Sequence, residues 1–543
     1  MKWMEWMRRG TWVGLVGILT AASVHASDLD VAKKQIRHIV VIYQENVSFD
    51  HYFGTYPHAL NPKGDPKFTA LPGTPKIDGY TEKLLKQNPN FLNAGNELGR
   101  TNPFRLDRNQ AGTADQSHNY GAEQQAFNGG KMDLFPKSVG RPDGPRIPGQ
   151  HVGILATSGL TMGYFDGNTV TAYWNYAQHF AISDRFFGTN FGPSTPGAIN
   201  LASGQTNGVV NDQNAEGGIV ADGNGGFTMI ADPQPAGDLC TSTSDALVHM
   251  TGRNIGDLLT EGDVSWGFFQ GGFDLSVVNP NGTTGCRRSS MSKWTAVNKR
   301  DYIAFHQPFQ YYKSTANLKH VRPSSPKVVG MNKDGGANHQ YDAHDFFDAV
   351  KAGNFPTVSY LKAPGFEDGH SGYSSPLDEQ RWVVGILNFV QKQPEWEHTA
   401  VIIAYDDSDG WYDHRMGPLV NGSSTTQDAL NGVGKCGDGT NALPGVNPAT
   451  EHAQGRCGFG PRLPLIVISP WAKANYVDHN VTDQTSIIRL IEDLYLDGKR
   501  ISGGSFDAQS GSLLSMFDFS KGKPQNTGKL ILDPDKGTVE AGK

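Results

Sequence analysis

The sequence predicts an α/β protein with a mostly parallel central sheet. Several short apolar runs have the pattern of strands buried on both faces, helical patterns lie between some of them, and no internal repeat is visible. Alternation of strands and helices is typical of an α/β domain. The predicted strands are 36–43, 357–361, 399–405 and 463–468.

Two helices are predicted from apolar residues at helical spacing. The first helix has an apolar face made of Trp382, Val383, Ile386, Leu387 and Val390. The second helix has an apolar face made of Ile487, Ile488, Ile491, Leu494 and Tyr495. Thr482 and Asp483 precede the second helix and are residue types that cap helix starts.

Composition narrows the class of protein. The chain has 543 residues, of which 37% are hydrophobic and 19% charged, and this excludes both a disordered tail and a membrane channel. A net charge of −7 without a basic block disfavours nucleic acid as a partner. The 66 glycines and 31 prolines indicate much loop. We expect one domain over 27–543, with loop-rich insertions near 55–160, 205–300 and 415–462.

Residues 1–26 have the pattern of an export signal. Basic residues at the start are followed by the apolar run 11–22, and 24–26 ends in small residues. The run is short for a bilayer crossing, so we expect a cleaved signal peptide, no transmembrane segment in the mature chain, and a periplasmic or secreted protein. A retained anchor is the alternative, and Arg8 and Arg9 leave twin-arginine export open.

Four cysteines follow the predicted leader. An even number in an exported chain suggests two disulfides, for which three pairings exist. We favour Cys240 with Cys286 and Cys436 with Cys457, because each bond would close one Gly-rich excursion. Free buried thiols are the alternative.

Oxygen-bearing side chains follow two of the predicted strands. Glu45 and Asn46 come soon after the first strand, and Asp406 and Asp407 come directly after the third. Open α/β sheets bind ligands at the carboxyl ends of their strands. Neighbouring carboxylates repel unless a cation compensates them, and an all-oxygen set suits a hard divalent ion. The alternative is that each acid only caps a turn or helix.

Ser194 is the candidate nucleophile. Pro196 is a residue type that favours an early helical position, so Ser194 is expected at a helix start, where unpaired N–H groups attract an anion such as phosphate. Coordination to a cation is one way to activate a serine hydroxyl. A plain helix start is the alternative interpretation of this segment.

Three of the 17 histidines stand in polar surroundings that suit catalysis: His118, His306 and His370. An imidazolium can hold a phosphoryl oxygen or protonate a leaving alkoxide. The alternative for each of the three is a structural role, in which the imidazole only satisfies hydrogen bonds within the fold.

Six sequence blocks together carry a family resemblance. They are 45–54, 128–133, 192–194, 309–312, 405–414 and 463–471. In this order they resemble the bacterial phosphoesterase family, which includes secreted phospholipases C and acid phosphatases of the alkaline-phosphatase superfamily. The first block, ENVSFDHYFG, is similar to the E-N-x-S-F-D-x-Y-F-G signature of that family.

The resemblance implies a three-layer α/β/α sandwich and phosphoester hydrolysis through a phosphoseryl intermediate on Ser194. The ligands it assigns to a divalent metal ion, whose identity it leaves open, are Glu45, Asn46, Ser194, Asp406 and Asp407. The residues it assigns to phosphate binding or leaving-group protonation are His118, His306 and His370.

The nucleophile segment differs between branches of that family. Phospholipases C read Gly-Pro-Thr, an aromatic residue and then Pro-Asn-Arg, whereas this chain has Ser194 for the threonine and Gly197-Ala198 for Asn-Arg. We therefore expect an acid phosphatase acting on phosphomonoesters. A phospholipase C acting on phospholipids is the alternative, and a binding protein that has lost activity is a third interpretation.

Overall fold

The computed structural model describes residues 28–142, 153–437 and 453–540. The predicted signal peptide lies outside the described residues. Within them, no helix combines the length and the apolar character needed to cross a bilayer.

An eight-stranded sheet forms the centre of the fold. Its strands in chain order are β1 (His38–Gln44), β2 (Ala181–Ser183), β3 (Trp266–Gln270), β4 (Gln340–Asp342), β5 (Val358–Lys362), β6 (Thr399–Tyr405), β7 (Leu465–Ile468) and β8 (Tyr476–Asp478). Their order across the sheet is β4-β3-β5-β1-β6-β7-β2-β8. Of these eight strands only β7 runs against the rest, antiparallel to β6 and β2. The predicted mostly parallel sheet is confirmed.

The central strands are buried on both faces. Every residue of β3, β5 and β6 is buried, and so is every residue of β1 after His38. Water is therefore excluded from both sides of the sheet, as in proteins whose parallel sheet is covered by helices on each face. The sheet is the middle layer of a three-layer α/β/α arrangement.

The described residues contain six α-helices of eight or more residues. They are α1 (Tyr120–Phe127), α2 (Thr171–His179), α3 (Ser194–Ser203), α4 (Ala343–Lys351), α5 (Pro376–Val390) and α6 (Thr485–Tyr495). Shorter α-helices are Phe49–Phe53, Glu82–Lys86, Pro89–Leu92, Phe135–Ser138 and Ile255–Glu261.

Both helices predicted from apolar stripes are present, as α5 and α6. Helix α5 begins after Ser375, whose hydroxyl accepts the Asp378 N–H. The start of α6 differs from the prediction, because Thr482–Asp483 pairs with Phe186–Phe187 as a short strand. The carboxylate of Asp483 nevertheless accepts the Thr485 N–H at 3.2 Å. It thus satisfies one of the free donors at the helix start from outside the helix.

The stretch 205–300 holds more regular structure than its Gly-rich sequence indicates. A second, five-stranded sheet lies in it, made of Asn207–Gln213, Ile219–Ala221, Phe227–Met229, Gln234–Pro235 and Leu247–Met250. Strand β3 of the central sheet lies in the same stretch, which therefore contributes to the core as well as holding this smaller sheet. The buried rings of Trp266, Phe268 and Phe269 show why: their packing in the core outweighs the local glycines.

The disulfide pairing is the predicted one. Cys240 bonds to Cys286 across 46 positions, and Cys436 bonds to Cys457 across 21 positions. No described cysteine is free. The alternative of free buried thiols is therefore wrong.

Candidate active site

The predicted acidic residues meet at one edge of the sheet. Gln44 at the end of β1 pairs in register with Tyr405 at the end of β6, so the segments that follow both strands leave the sheet side by side. The Asp406 N–H donates to the Gln44 carbonyl at 3.2 Å, and the Val47 N–H donates to the Asp407 carbonyl at 3.1 Å. Two distant parts of the chain are thereby joined at the backbone.

Ser194 lies among three of the predicted ligands. Its Oγ is 3.0 Å from Glu45 Oε2, which is 149 positions away, and 3.1 Å from Asp407 Oδ2, which is 213 positions away. The side-chain amide of Asn46 donates to the same Oγ at 3.4 Å. Ser194 is the first residue of α3, as predicted, and all four side chains are buried.

Asp406, the fifth predicted ligand, turns toward a different neighbour. Its Oδ2 lies 3.6 Å from Nζ of Lys362, and its Oδ1 accepts the Asp407 N–H at 2.9 Å. Its main chain packs against Gly197 in the first turn of α3. Asp406 therefore supports the start of α3 as well as contributing charge to the site.

The donor set fits a hard divalent cation. Oxygen atoms of Glu45, Asp407 and Ser194 converge, and Asn46 Oδ1 is buried without a hydrogen-bond partner among the described residues. Burial raises the pKa of Asp407 to about 7. Burial and the neighbouring Glu45 raise the pKa of Asp406 well above its usual range. Such crowding of acids is relieved by a cation with oxygen ligands.

The structure brings the three predicted histidines to the same place. His306 Nδ1 lies 3.0 Å from Glu45 Oε1, and His306 Nε2 is buried without a partner among the described residues. His118 Nδ1 lies 3.0 Å from Asp409 Oδ1. The rings of His118 and His370 are 5.9 Å apart in an edge-to-face arrangement.

His118 is held in its charged form by its surroundings. Burial acts against the charge, but Asp407 and Asp409 outweigh it and raise the pKa of His118 well above its ordinary value. An imidazolium under the influence of Asp407 is suited to balance charge on phosphoryl oxygens or to donate a proton.

Sequence reasoning missed several charged residues of this site. Lys362, which is fully buried, forms an ion pair with Glu45. Asp368 and Asp409 are buried beside His306 and His118. Each follows a predicted strand by a few residues, so its place near a strand end could have identified it as a site candidate. Lys362 is the first residue after the predicted strand 357–361.

Glu123 in α1 is a missed residue without any such signal. Its Oε2 accepts the Gly192 N–H at 3.0 Å, and its Oε1 accepts the Ser408 hydroxyl at 2.6 Å. One buried carboxyl group therefore connects the segment before Ser194 to the segment after Asp407. Only the tertiary packing of α1 places it there.

Fold and site together define a class: an α/β protein in which oxygen-bearing side chains surround a buried serine hydroxyl at the carboxyl edge of its sheet. The model of the family described as "Phosphoesterase family" matches residues 36–496. The chain belongs to the phosphoesterase family.

Named relatives of this chain are phospholipases C. The non-hemolytic phospholipase C of Burkholderia pseudomallei is 25% identical over 508 residues, which are 90% of this chain and 59% of that protein. Phospholipase C B of Mycobacterium tuberculosis is 24% identical over 546 residues, which are 96% of this chain and 85% of that protein. The non-specific phospholipase C6 of Arabidopsis thaliana is 22% identical and covers 81% of this chain and 63% of that protein. The chain thus spans about three fifths of the Burkholderia relative.

Among solved structures, a protein of the alkaline phosphatase superfamily from Vibrio parahaemolyticus matches 80% of each chain at 11% identity, with a TM-score of 0.28. The fold is defined by the strand order and burial described above.

Proposed function

We propose that this chain is an exported, metal-dependent phosphoester hydrolase in which Ser194 Oγ is the nucleophile. The observation that carries the proposal is the convergence of Glu45 Oε2 and Asp407 Oδ2 on Ser194 Oγ, both within 3.1 Å. Membership of the phosphoesterase family supports it. Two disulfides support the proposed export, since such bonds persist in oxidising compartments.

In the first step, Ser194 Oγ attacks phosphorus while the bond from phosphorus to the leaving oxygen breaks. Glu45, Asn46, Asp407 and Ser194, with Asp406 adjacent, would hold a divalent cation, whose positive charge would favour loss of the serine proton to solvent and neutralise the phosphate. The leaving alkoxide takes up one proton, and the charged His118 is suited to donate it.

In the second step, water attacks the phosphoserine and the bond from phosphorus to Ser194 Oγ breaks. One proton of that water passes to His118 and restores its charge, the serine oxygen takes back a proton from solvent, and phosphate or a phosphorylated headgroup leaves. His306 and His370 are proposed to bind the phosphoryl oxygens. The unpartnered, buried Nε2 of His306 supports that role, because a buried polar atom of this kind normally has a partner.

For the substrate, the relatives support phospholipase C better than the acid phosphatase that the nucleophile segment suggested. We therefore propose phospholipids as the first substrate class, with cleavage on the glycerol side of the phosphate. Diacylglycerol and a phosphorylated headgroup would be the products.

Phosphomonoesters are the second candidate class, and one contact favours them. Lys299 places Nζ 3.5 Å from the centre of the Tyr373 ring, and that ring stacks on His370 at 4.6 Å. A cation so close to the phosphate-binding histidines suits the extra negative charge of a monoester and disfavours a quaternary ammonium headgroup.

The test compares Ser194→Ala with Ser203→Ala, in which a buried hydroxyl at the other end of α3 is removed instead. Both are assayed on p-nitrophenyl phosphate and on phosphatidylcholine vesicles, with diacylglycerol measured. We expect Ser194→Ala to lose activity by several orders of magnitude with its fold intact, and Ser203→Ala to retain it. Parental rates in Ser194→Ala would overturn the assignment, and the preferred substrate decides between the two classes.

A further inference from the structure

Lys362 is a fully buried lysine among the acids Glu45, Asp406 and Asp407, which are called the acid cluster below. It is the last residue of β5, the strand beside β1, and its side chain has no exposed surface. Its ammonium pairs with Glu45 Oε1 and lies 3.6 Å from Asp406 Oδ2. The ammonium also lies 4.5 Å from the centre of the Tyr43 ring. A buried ammonium is tolerated only with partners of this kind.

The contacts of Glu45 divide its two oxygens between different partners. Oε1 is held by Lys362 and by His306 Nδ1 at 3.0 Å. Oε2 is left to face Ser194 Oγ at 3.0 Å. The rotation of this carboxylate is therefore fixed through Oε1, by groups other than the serine that Oε2 faces.

We infer that Lys362 is a positioning residue that orients Glu45 toward Ser194 and serves as the internal counter-ion of the acid cluster. Glu45, Asp406 and Asp407 crowd together, and a fixed positive charge keeps them assembled without any added cation. The part of this inference that concerns catalysis rests on the proposed function. The part that concerns assembly of the site does not.

The charge of Lys362 is secured by its partners. Burial acts to lower the pKa of Lys362, but Glu45 and Asp406 outweigh burial and raise it. Correspondingly, burial acts to raise the pKa of Glu45, whereas His306 and Lys362 hold it well below its usual range.

The experiment uses Lys362→Met, which keeps the length of the side chain and removes the charge, and Lys362→Arg, which keeps the charge. Lys473→Met is the matched control, because Lys473 Nζ also lies over a tyrosine ring, at 4.4 Å from the centre of Tyr476, away from the acid cluster. The full chain is treated with EDTA, and its Tm is compared with that of the parent.

We expect Lys362→Met to lower the Tm of the EDTA-treated protein by roughly 3 to 5 °C, as for loss of one partner of a buried ion pair in a large domain. At saturating metal, kcat should fall about 10- to 100-fold with KM within about threefold, because Glu45 is misplaced while substrate contacts remain. Lys362→Arg should recover part of kcat. Lys473→Met should change neither quantity.

The double variant Glu45→Gln/Lys362→Met decides the case if Lys362→Met folds poorly. Because both charges are absent, it should be at least as stable as Lys362→Met alone. Strictly additive losses, or an unchanged Tm and kcat in Lys362→Met, would overturn the inference. Full activity of Ser194→Ala would instead overturn the proposed function and leave the Tm result standing.

Discussion

Gly197 lies so close to Asp406 that a Cβ atom at residue 197 would be 1.9 Å from the Asp406 carbonyl oxygen. No side chain fits there unless α3 moves away from the end of β6. Glycine at this position thus allows the first turn of α3 to carry Ser194 to within 3.1 Å of Asp407. The segment that distinguished this chain from phospholipases C in sequence therefore has a steric role in the site.

Gly197→Ala is expected to displace Ser194 from the acid cluster. A shift of about 1 Å in a reacting group lowers a rate by about 100-fold. We expect kcat on p-nitrophenyl phosphate to fall by about that factor in steady-state assays.

Gly385→Ala is the matched control for Gly197→Ala, because a Cβ there meets nothing within 4 Å in the middle of α5. It should keep parental activity and gain up to about 1 kcal/mol in free energy of unfolding from helix propensity. Equal activity of the two variants would contradict the steric argument.

The parts of the fold that were predictable are those with enough residues to show a pattern. β1 and β6 each run for seven residues, nearly all apolar, and were found within a few residues of their bounds. β2, β4 and β8 have three residues each, too few to show any period. The reversed direction of β7 was also not predictable, because its short apolar sequence resembles that of a buried parallel strand.

The residues of the site likewise include some that the sequence could predict and some that it could not. Glu45, Asn46, Asp406 and Asp407 were predictable because strand ends of a parallel sheet share one edge. The contact of Glu123 with Gly192 was not, because a helix brings that carboxyl group in from the side.

Glu123→Gln should weaken the link between the two segments that flank the reacting groups. An amide has only one acceptor oxygen, so when that oxygen accepts the Gly192 N–H, its NH2 group faces Ser408 Oγ and the Ser408 hydroxyl proton loses its acceptor. A buried donor left unpaired costs about 1 to 3 kcal/mol in free energy of unfolding. We expect a loss of that size in urea titrations, with kcat lowered about tenfold.

Glu82→Gln is the control for Glu123→Gln, since its side chain is 81% exposed and pairs with Lys86 at the surface. Exposed pairs contribute little, so stability and kcat should stay at the parental values. A Glu123→Gln enzyme with parental kcat would show that the link does not position Ser194.

The two disulfides should differ in their effect on activity, although removal of either should lower stability. The Cys436–Cys457 bond anchors the segment that precedes Ser194, because the Phe191 N–H donates to the Cys457 carbonyl at 3.0 Å. Replacing both cysteines of either pair by serine should lower the free energy of unfolding by about 3 to 4 kcal/mol. Thermal unfolding and kcat are measured for each double variant. Only loss of Cys436–Cys457 should also lower kcat, and the reverse order would contradict this anchoring role.

His414 should make stability depend on pH in the alkaline range. Its Nδ1 lies 2.6 Å from Asp50 Oδ2, and its Nε2 lies 3.3 Å from Asp78 Oδ1. Burial acts to lower the pKa of His414, but Asp50 outweighs it and raises that pKa to about 9. The folded-state pKa thus exceeds the unfolded value of about 6.5. The stabilisation is therefore complete below pH 6.5 and is lost as pH rises through about 9.

The measurement is the difference in free energy of unfolding between the parent and His414→Gln, taken in urea at about pH 6 and about pH 10, on either side of the titration. Because other titrating groups cancel, this difference should shrink by about 3 kcal/mol between the two conditions. His249→Gln, which breaks the exposed pair of His249 with Asp212, is the control. Its own difference from the parent in free energy of unfolding should change by less than about 1 kcal/mol between the two pH values. A difference for His414→Gln that is the same at both pH values would mean that Asp50 does not hold the imidazolium. The Asp50–Arg462 ion pair, at 2.9 Å, would then account for the stability of this cluster without help from the histidine.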